Sequence, residues 1–310
     1  MPHAIGIDFG GTTIKSALVL DGKIVLRGEL IDTQKNPGPE AVIEALVAVI
    51  DTLRAHEPRT CAVGIGLPGL VDGVNGIVHE LTNVPGWNSV LLREILEKRT
   101  SLPVTIENDA NGMAYGEWKY GAARHGKNVV CITLGTGVGG ALILDGRLYR
   151  GAQHGAGEIG HMSIDLRGIE GPYGNDGGLE EYVGNQQIAT RAQGRYREAG
   201  RAEMATCTPA DLAGAANAGD EIACAVWDEV GTELGAALAS VVWLLNPDTI
   251  VIGGGVARAG ELIFEPVRRT IKSRTSRVFH EQLQVLPALL GNDAGIVGNA
   301  QLAVDSLVLH

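Results

Sequence analysis

The chain has 310 residues, which at about 150 residues per domain is enough for two domains that each bury a core. Lys and Arg number 25 against 36 Asp and Glu, a formal charge of −11 with no basic cluster, which argues against nucleic acid or an anionic membrane as partner. Apolar residues make up 45% and charged residues 20%, a globular composition, and 44 glycines are about twice the usual share of roughly 7%, so turns that let a ligand approach backbone are expected.

Ala4 to Asp8 is a short apolar run that reads as a strand and not as a leader peptide, so a soluble, cytoplasmic protein is expected. Asp8-Phe9-Gly10-Gly11-Thr12-Thr13 joins it to a second run, Ile14 to Leu20, and Asp21-Gly22 before Lys23 to Arg27 is a hairpin turn. Backbone N–H groups of the glycine turn can cradle phosphate oxygens, with the threonine hydroxyls as further donors. Asp8 would face the same ligand, and a carboxylate beside phosphates needs a cation between them, which implies Mg²⁺. Taken alone, the turn is equally a plain hairpin turn. Glu40 to Ala55 carries a helical stripe of Val42, Leu46, Val49 and Leu53, and Cys61 to Leu67 is a buried strand ending in Pro68-Gly69.

Val104 to Ile106 is a strand that meets a helix near Ala110, with Glu107-Asn108-Asp109-Ala110-Asn111 at the junction. Asp109 is either the helix N-cap or, at a strand end where α/β proteins hold ligands, a base that accepts a proton from an attacking hydroxyl. Leu134-Gly135-Thr136-Gly137-Val138-Gly139-Gly140 then repeats the first turn. With a shift of 124 residues Gly11-Thr12 aligns with Gly135-Thr136, and Ala17 to Lys23 aligns with Ala141 to Arg147, hairpin included. The repeat implies two related α/β domains, and two opposed glycine turns make a phosphate clamp.

Glu158 and His161 lie in a glycine-rich stretch whose spacing suits sugar hydroxyls, a metal, or a surface pair of no consequence, while His154 reads as surface. Leu234 to Leu245, the longest apolar stretch, is too short to span a bilayer. Ile250 to Ile252 runs into Gly253-Gly254-Gly255, where adenine or ribose can lie against backbone, although a simple strand-to-helix turn reads the same way. Cys61, Cys131, Cys207 and Cys224 are widely spaced and are expected as buried free thiols.

These motifs, together with Gly66-Leu67-Pro68-Gly69 and Asn83-Val84-Pro85-Gly86-Trp87, resemble the ROK family of bacterial sugar kinases and repressors along nearly the whole chain. The resemblance implies an actin-like ATPase (ribonuclease H-like) fold of class α/β, two α/β domains around a central cleft that closes over ATP and a hexose. Domain boundaries are expected at 1–109 plus a C-terminal helix at about 298–310, and at 110–297. It further implies that Asp109 is the catalytic base, that Asn108, Glu158, His161, Glu180 and, more weakly, Asn83 bind the sugar, and that Asp8 stands near Mg²⁺. Gly10, Gly11, Thr12, Thr13, Thr136, Gly137, Gly254 and Gly255 would bind ATP. Glucose is the expected sugar, with N-acetylmannosamine, fructose, mannose or allose as alternatives, and a non-catalytic sugar sensor as the rival reading. Many relatives carry a zinc motif of three cysteines after the histidine. Here Gly171, Tyr173 and Gly178 stand at those positions, so no zinc is expected and backbone hydrogen bonds must hold the loop. A homodimer or higher homo-oligomer is the expected assembly.

Overall fold

The computed structural model describes residues 2–36, 38–81, 85–201 and 207–308. The chain opens with β1 (His3–Phe9), β2 (Thr13–Leu20), β3 (Lys23–Arg27), β4 (Ile31–Asp32), α1 (Gly38–His56), β5 (Thr60–Leu67), β6 (Gly69–Asp72) and β7 (Ile77–Leu81). It continues through α2 (Leu92–Thr100), β8 (Val104–Asn108), α3 (Asp109–Tyr120), β9 (Val129–Leu134), β10 (Val138–Leu144) and β11 (Arg147–Tyr149). Then come α4 (Glu180–Val183), α5 (Asn185–Glu198), α6 (Pro209–Asn217), α7 (Glu221–Leu245), β12 (Thr249–Gly253), α8 (Glu261–Arg274), α9 (Arg277–His280), β13 (Gln284–Pro287) and α10 (Ala294–Ser306).

The two main sheets have equivalent topologies. One runs β3-β2-β1-β5-β8 with β4 beside β2, and the other runs β11-β10-β9-β12-β13. In each the opening hairpin is antiparallel, and the strands beyond the first are added in parallel. The repeat extends to backbone angles. Asp21 and Gly22 turn with φ of 48° and 71°, and Asp145 and Gly146 with 51° and 70°. Both central residues of such a two-residue hairpin need positive φ, which an Asp-Gly pair adopts at little cost.

Two compact units result. The first holds the chain up to His125, Arg147–Ala156, and the chain from Leu289 on; the second holds Gly126–Gly146 and Gly157–Ala288. In the first, Val42, Leu46, Ile50 and Leu53 of α1 pack with Ile5, Ile7, Ile65 and Leu67 of the sheet, as the helical stripe requires. Ile296 and Ala300 of α10 pack with Ala4, Ala17 and Val19. In the second, Val130, Ile132, Ile250 and Ile252 join Ile188, Trp227, Leu234, Leu238 and Val267 in one core, and Leu234 to Leu245 is the second half of α7.

The units divide elsewhere than at residue 109, because α3 packs on α10 with backbone close to backbone, and α10 begins at Ala294, before Gly298. Turn signals mark where a helix starts and not which sheet it covers. Of the four cysteines, all expected to be buried, only Cys131 and Cys207 are; Cys61 is half-buried. Cys224 is exposed, because α7 turns Ala223, Val226 and Trp227 inward and leaves it on the outer face.

Candidate active site

At the end of β1, Asp8 pairs in register with Lys15 of β2 and Gly66 of β5, and its carboxyl lies against Gly295 at the start of α10. Burial pushes the Asp8 pKa above its ordinary value of 3.8, and Lys15 only partly opposes this. In the turn that follows, Gly10 N–H bonds Thr13 O at 3.1 Å, while Thr33 donates its N–H to Thr12 O and its hydroxyl to Gly11 O. Thr12 is exposed, and Gly10, Gly11 and Thr13 are half-buried, so the turn is accessible and its shape is fixed from behind.

At the junction of β8 and α3 the cap is the residue before Asp109. Asn108 is the N-cap: its Oδ1 accepts N–H bonds from Ala110 at 2.9 Å and Asn111 at 3.2 Å. Asp109 is instead the first helical residue, its Oδ1 2.8 Å from Ala110 N, where a carboxylate also gains from the helix dipole. Behind it, the buried Glu107 accepts from Asn111 Nδ2 at 3.0 Å, Asn108 N at 3.1 Å and Arg150 Nε at 2.6 Å.

In the second unit the second glycine turn is closed by a bond from Gly135 N to Gly137 O at 2.9 Å, and Asn185 N donates to Gly135 O. Glu180 lies against this turn and accepts the Val138 N–H at 2.7 Å. Glu158 and His161 belong to the same neighbourhood. Desolvation of its carboxyl raises the Glu158 pKa although the residue as a whole is exposed; His161 opposes the shift and Glu180 adds to it. Thus Glu158, His161, Glu180, Thr136 and Gly137, distant in sequence, come together around one turn. Gly254, with φ of +89°, joins them: a Cβ there would stand 2.1 Å from Leu134 O, so only glycine lets the β12 loop approach the end of β9. Gly255 faces open space.

The loop after His161 is held by hydrogen bonds. Ile164 N bonds Gly177 O, Gly177 N bonds Ile169 O, Leu179 N bonds Met162 O, and Asn175 Nδ2 donates to His161 O at 2.8 Å. The Tyr173 ring stands edge-on to His161 with centroids 5.1 Å apart. Among the described residues no three His, Cys, Asp or Glu side chains are grouped to hold a metal ion. Asn83 lies outside the described residues. Sequence reasoning missed Arg150 altogether and placed His154 at the surface. His154 is half-buried, with Nε2 3.4 Å from Asp72 Oδ1. Neither has a motif of its own; each acquires a partner only through the fold.

A model of the ROK family matches residues 4–306. The chain belongs to the ROK family. Among ROK relatives, a glucokinase of Halalkalibacterium halodurans is 36% identical over 96% of this chain and 94% of its own, and one of Thermotoga maritima is 35% identical over 96% of both. A solved ROK family glucokinase from Streptomyces griseus, in complex with glucose and AMPPNP, superposes with a TM-score of 0.82 at 32% identity, covering 98% of this chain and 99% of that one. The two α/β sheets with matching topology are those of the actin-like ATPase fold of ROK sugar kinases.

Proposed function

We propose that this ROK protein is an ATP-dependent hexokinase, a glucokinase, that moves the γ-phosphoryl group of ATP to the 6-hydroxyl of glucose. The observation that carries the reading is the full-length likeness to glucokinases, one of them solved with glucose and AMPPNP. The geometry supports it from both units. In the first, Asp109 is the base that takes the 6-hydroxyl proton as the oxygen attacks phosphorus, beside Asn108, which caps the helix. Asn108, Glu158, His161 and Glu180 hold sugar hydroxyls. In the second, Glu180 bonds the Val138 N–H of the turn that holds phosphate, so sugar and phosphate sites share a residue.

Thr12, Thr13, Thr136 and the amides of Gly11 and Gly137 hold the phosphates in line, Gly10 shapes the first turn through its N–H bond to Thr13 O, and Gly254 and Gly255 leave room for adenosine. The residues present fit Mg²⁺: Asp8 is a half-buried oxygen donor whose ionisation is disfavoured by its surroundings, and a hard cation relieves that cost. Bound there with ATP, the ion supplies charge neutralisation on the phosphoryl oxygens. A coupled ADP-release assay over glucose, N-acetylmannosamine, fructose, mannose and allose, with and without Mg²⁺, tests the reading. Glucose is expected to give the highest kcat/KM, with no turnover after divalent-ion removal. Glucose binding with no ADP release would overturn it in favour of a sensor, and turnover on polyphosphate alone would overturn the choice of donor.

A further inference from the structure

Glu107 is a carboxylate with a side chain only 6% exposed, and among the described residues its ionic partner is Arg150, 43 positions later in the chain and 33% exposed. A buried charge is tolerated when it is paired and its remaining lone pairs are bonded. Glu107 meets this condition: Oε2 takes Arg150 Nε, and Oε1 takes Asn111 Nδ2 and the Asn108 N–H. Both of the latter donors belong to the turn that opens α3, and between them sits Asp109. Arg150 itself is fixed by a closed loop. Its carbonyl accepts the Ala156 N–H at 3.0 Å, and within that loop His154, at the unusual φ of 60°, faces Asp72 of β6.

We propose that Arg150 is a positioning residue for phosphoryl transfer: by neutralising Glu107 it locks the first turn of α3 and so sets where Asp109 presents its carboxylate. The inference rests on the reading of Asp109 as the base. Loss of Arg150 leaves a buried, unpaired carboxylate two residues from that base, and the turn must then distort or admit water. A displacement of about 1 Å at a reacting group is enough to cost about 10²-fold in rate.

The test uses the full-length protein with Arg150→Gln, Glu107→Gln and the double variant, measured for kcat, sugar KM and glucose binding by calorimetry. Arg150→Gln is expected to lower kcat at least about tenfold with sugar KM within about threefold, since the sugar contacts of the second unit are untouched. The double variant removes the charge from both partners and is expected to recover to within about fivefold of the parent. A purely structural pair predicts otherwise: lower melting temperature, with kcat per folded molecule unchanged. That result, or a double variant no faster than Arg150→Gln, overturns the proposal. If Arg150→Gln does not fold, the charge-free double variant decides: folded and active supports it, folded and inactive overturns it. An unmodified protein that phosphorylates no hexose instead refutes the reading on which the inference rests.

Discussion

At the start of α3, Asn108 is the cap and Asp109 beside it is the proposed base. Asn108 accepts the orphan N–H groups of Ala110 and Asn111, so Asp109→Asn is expected to cost no more than about 1 kcal/mol of stability, the share of the helix dipole, while turnover falls by about 10²–10⁴, the usual scale for a general base. Sugar affinity, measured by calorimetry, should stay within a few-fold, because an amide still bonds a hydroxyl. A loss of stability with activity retained on the folded fraction would return Asp109 to a structural role. Asp8 has a different signature. Its folded pKa is raised by burial, so ionising it costs more in the folded than in the unfolded chain, and stability is lost as pH rises through that value. Asp8→Asn escapes this loss. Its melting temperature is expected to equal or exceed that of the parent at about pH 8 and to lose the advantage towards about pH 4, while Mg²⁺-dependent turnover falls about 10²-fold. An advantage that instead grows towards acid would contradict the assignment.

Helix on helix, the first unit depends on closeness. A Cβ on Gly298 would lie 1.8 Å from Gly112 O and 2.6 Å from Gly116 N, and backbone on both sides leaves no room to yield. Gly298→Ala is therefore expected to destabilise by roughly 2 kcal/mol or more in urea titrations, at the upper part of the range for overpacking. Gly194 of α5 serves as control, because nothing lies within 4 Å of its added Cβ. There alanine should be neutral or stabilising by up to about 1 kcal/mol, the difference in helix propensity. Equal effects at both positions would mean that α3 and α10 do not approach as closely as described. The end of α3 is fastened in another way. The fully buried Glu117 accepts the N–H groups of Ala122, Leu289 and Leu290, tying the helix to the chain that leads into α10.

For the whole molecule the expectation concerns metal. The loop from Met162 to Leu179 is closed by main-chain hydrogen bonds, by Asn175 to His161 O, and by the bond from Ile169 N to the Tyr182 hydroxyl. A structural zinc wants four ligands, which Gly171, Tyr173 and Gly178 do not supply. Chelator should leave the melting temperature unchanged, and elemental analysis should find well under about one zinc per chain. Stoichiometric zinc together with a fall in melting temperature on chelation would show that this loop is built differently.

The duplicated strand, glycine turn and Asp-Gly hairpin were fully legible in the sequence, because strand alternation and positive-φ turns are local properties that a short run of residues encodes. The glycines and threonines of both glycine turns, and the polar strand end at Asn108 and Asp109, were legible for the same reason. Which of those two residues caps α3 was not, since both can accept an N–H and the choice depends on the backbone angle at one position. The bond from Val138 N to Glu180, the approach of Gly254 to Leu134, and the pairing of Arg150 with Glu107 join residues far apart in the chain. No periodicity records them. They exist because packing brings buried charges and bare backbone together, and there each buried polar group must find its partner.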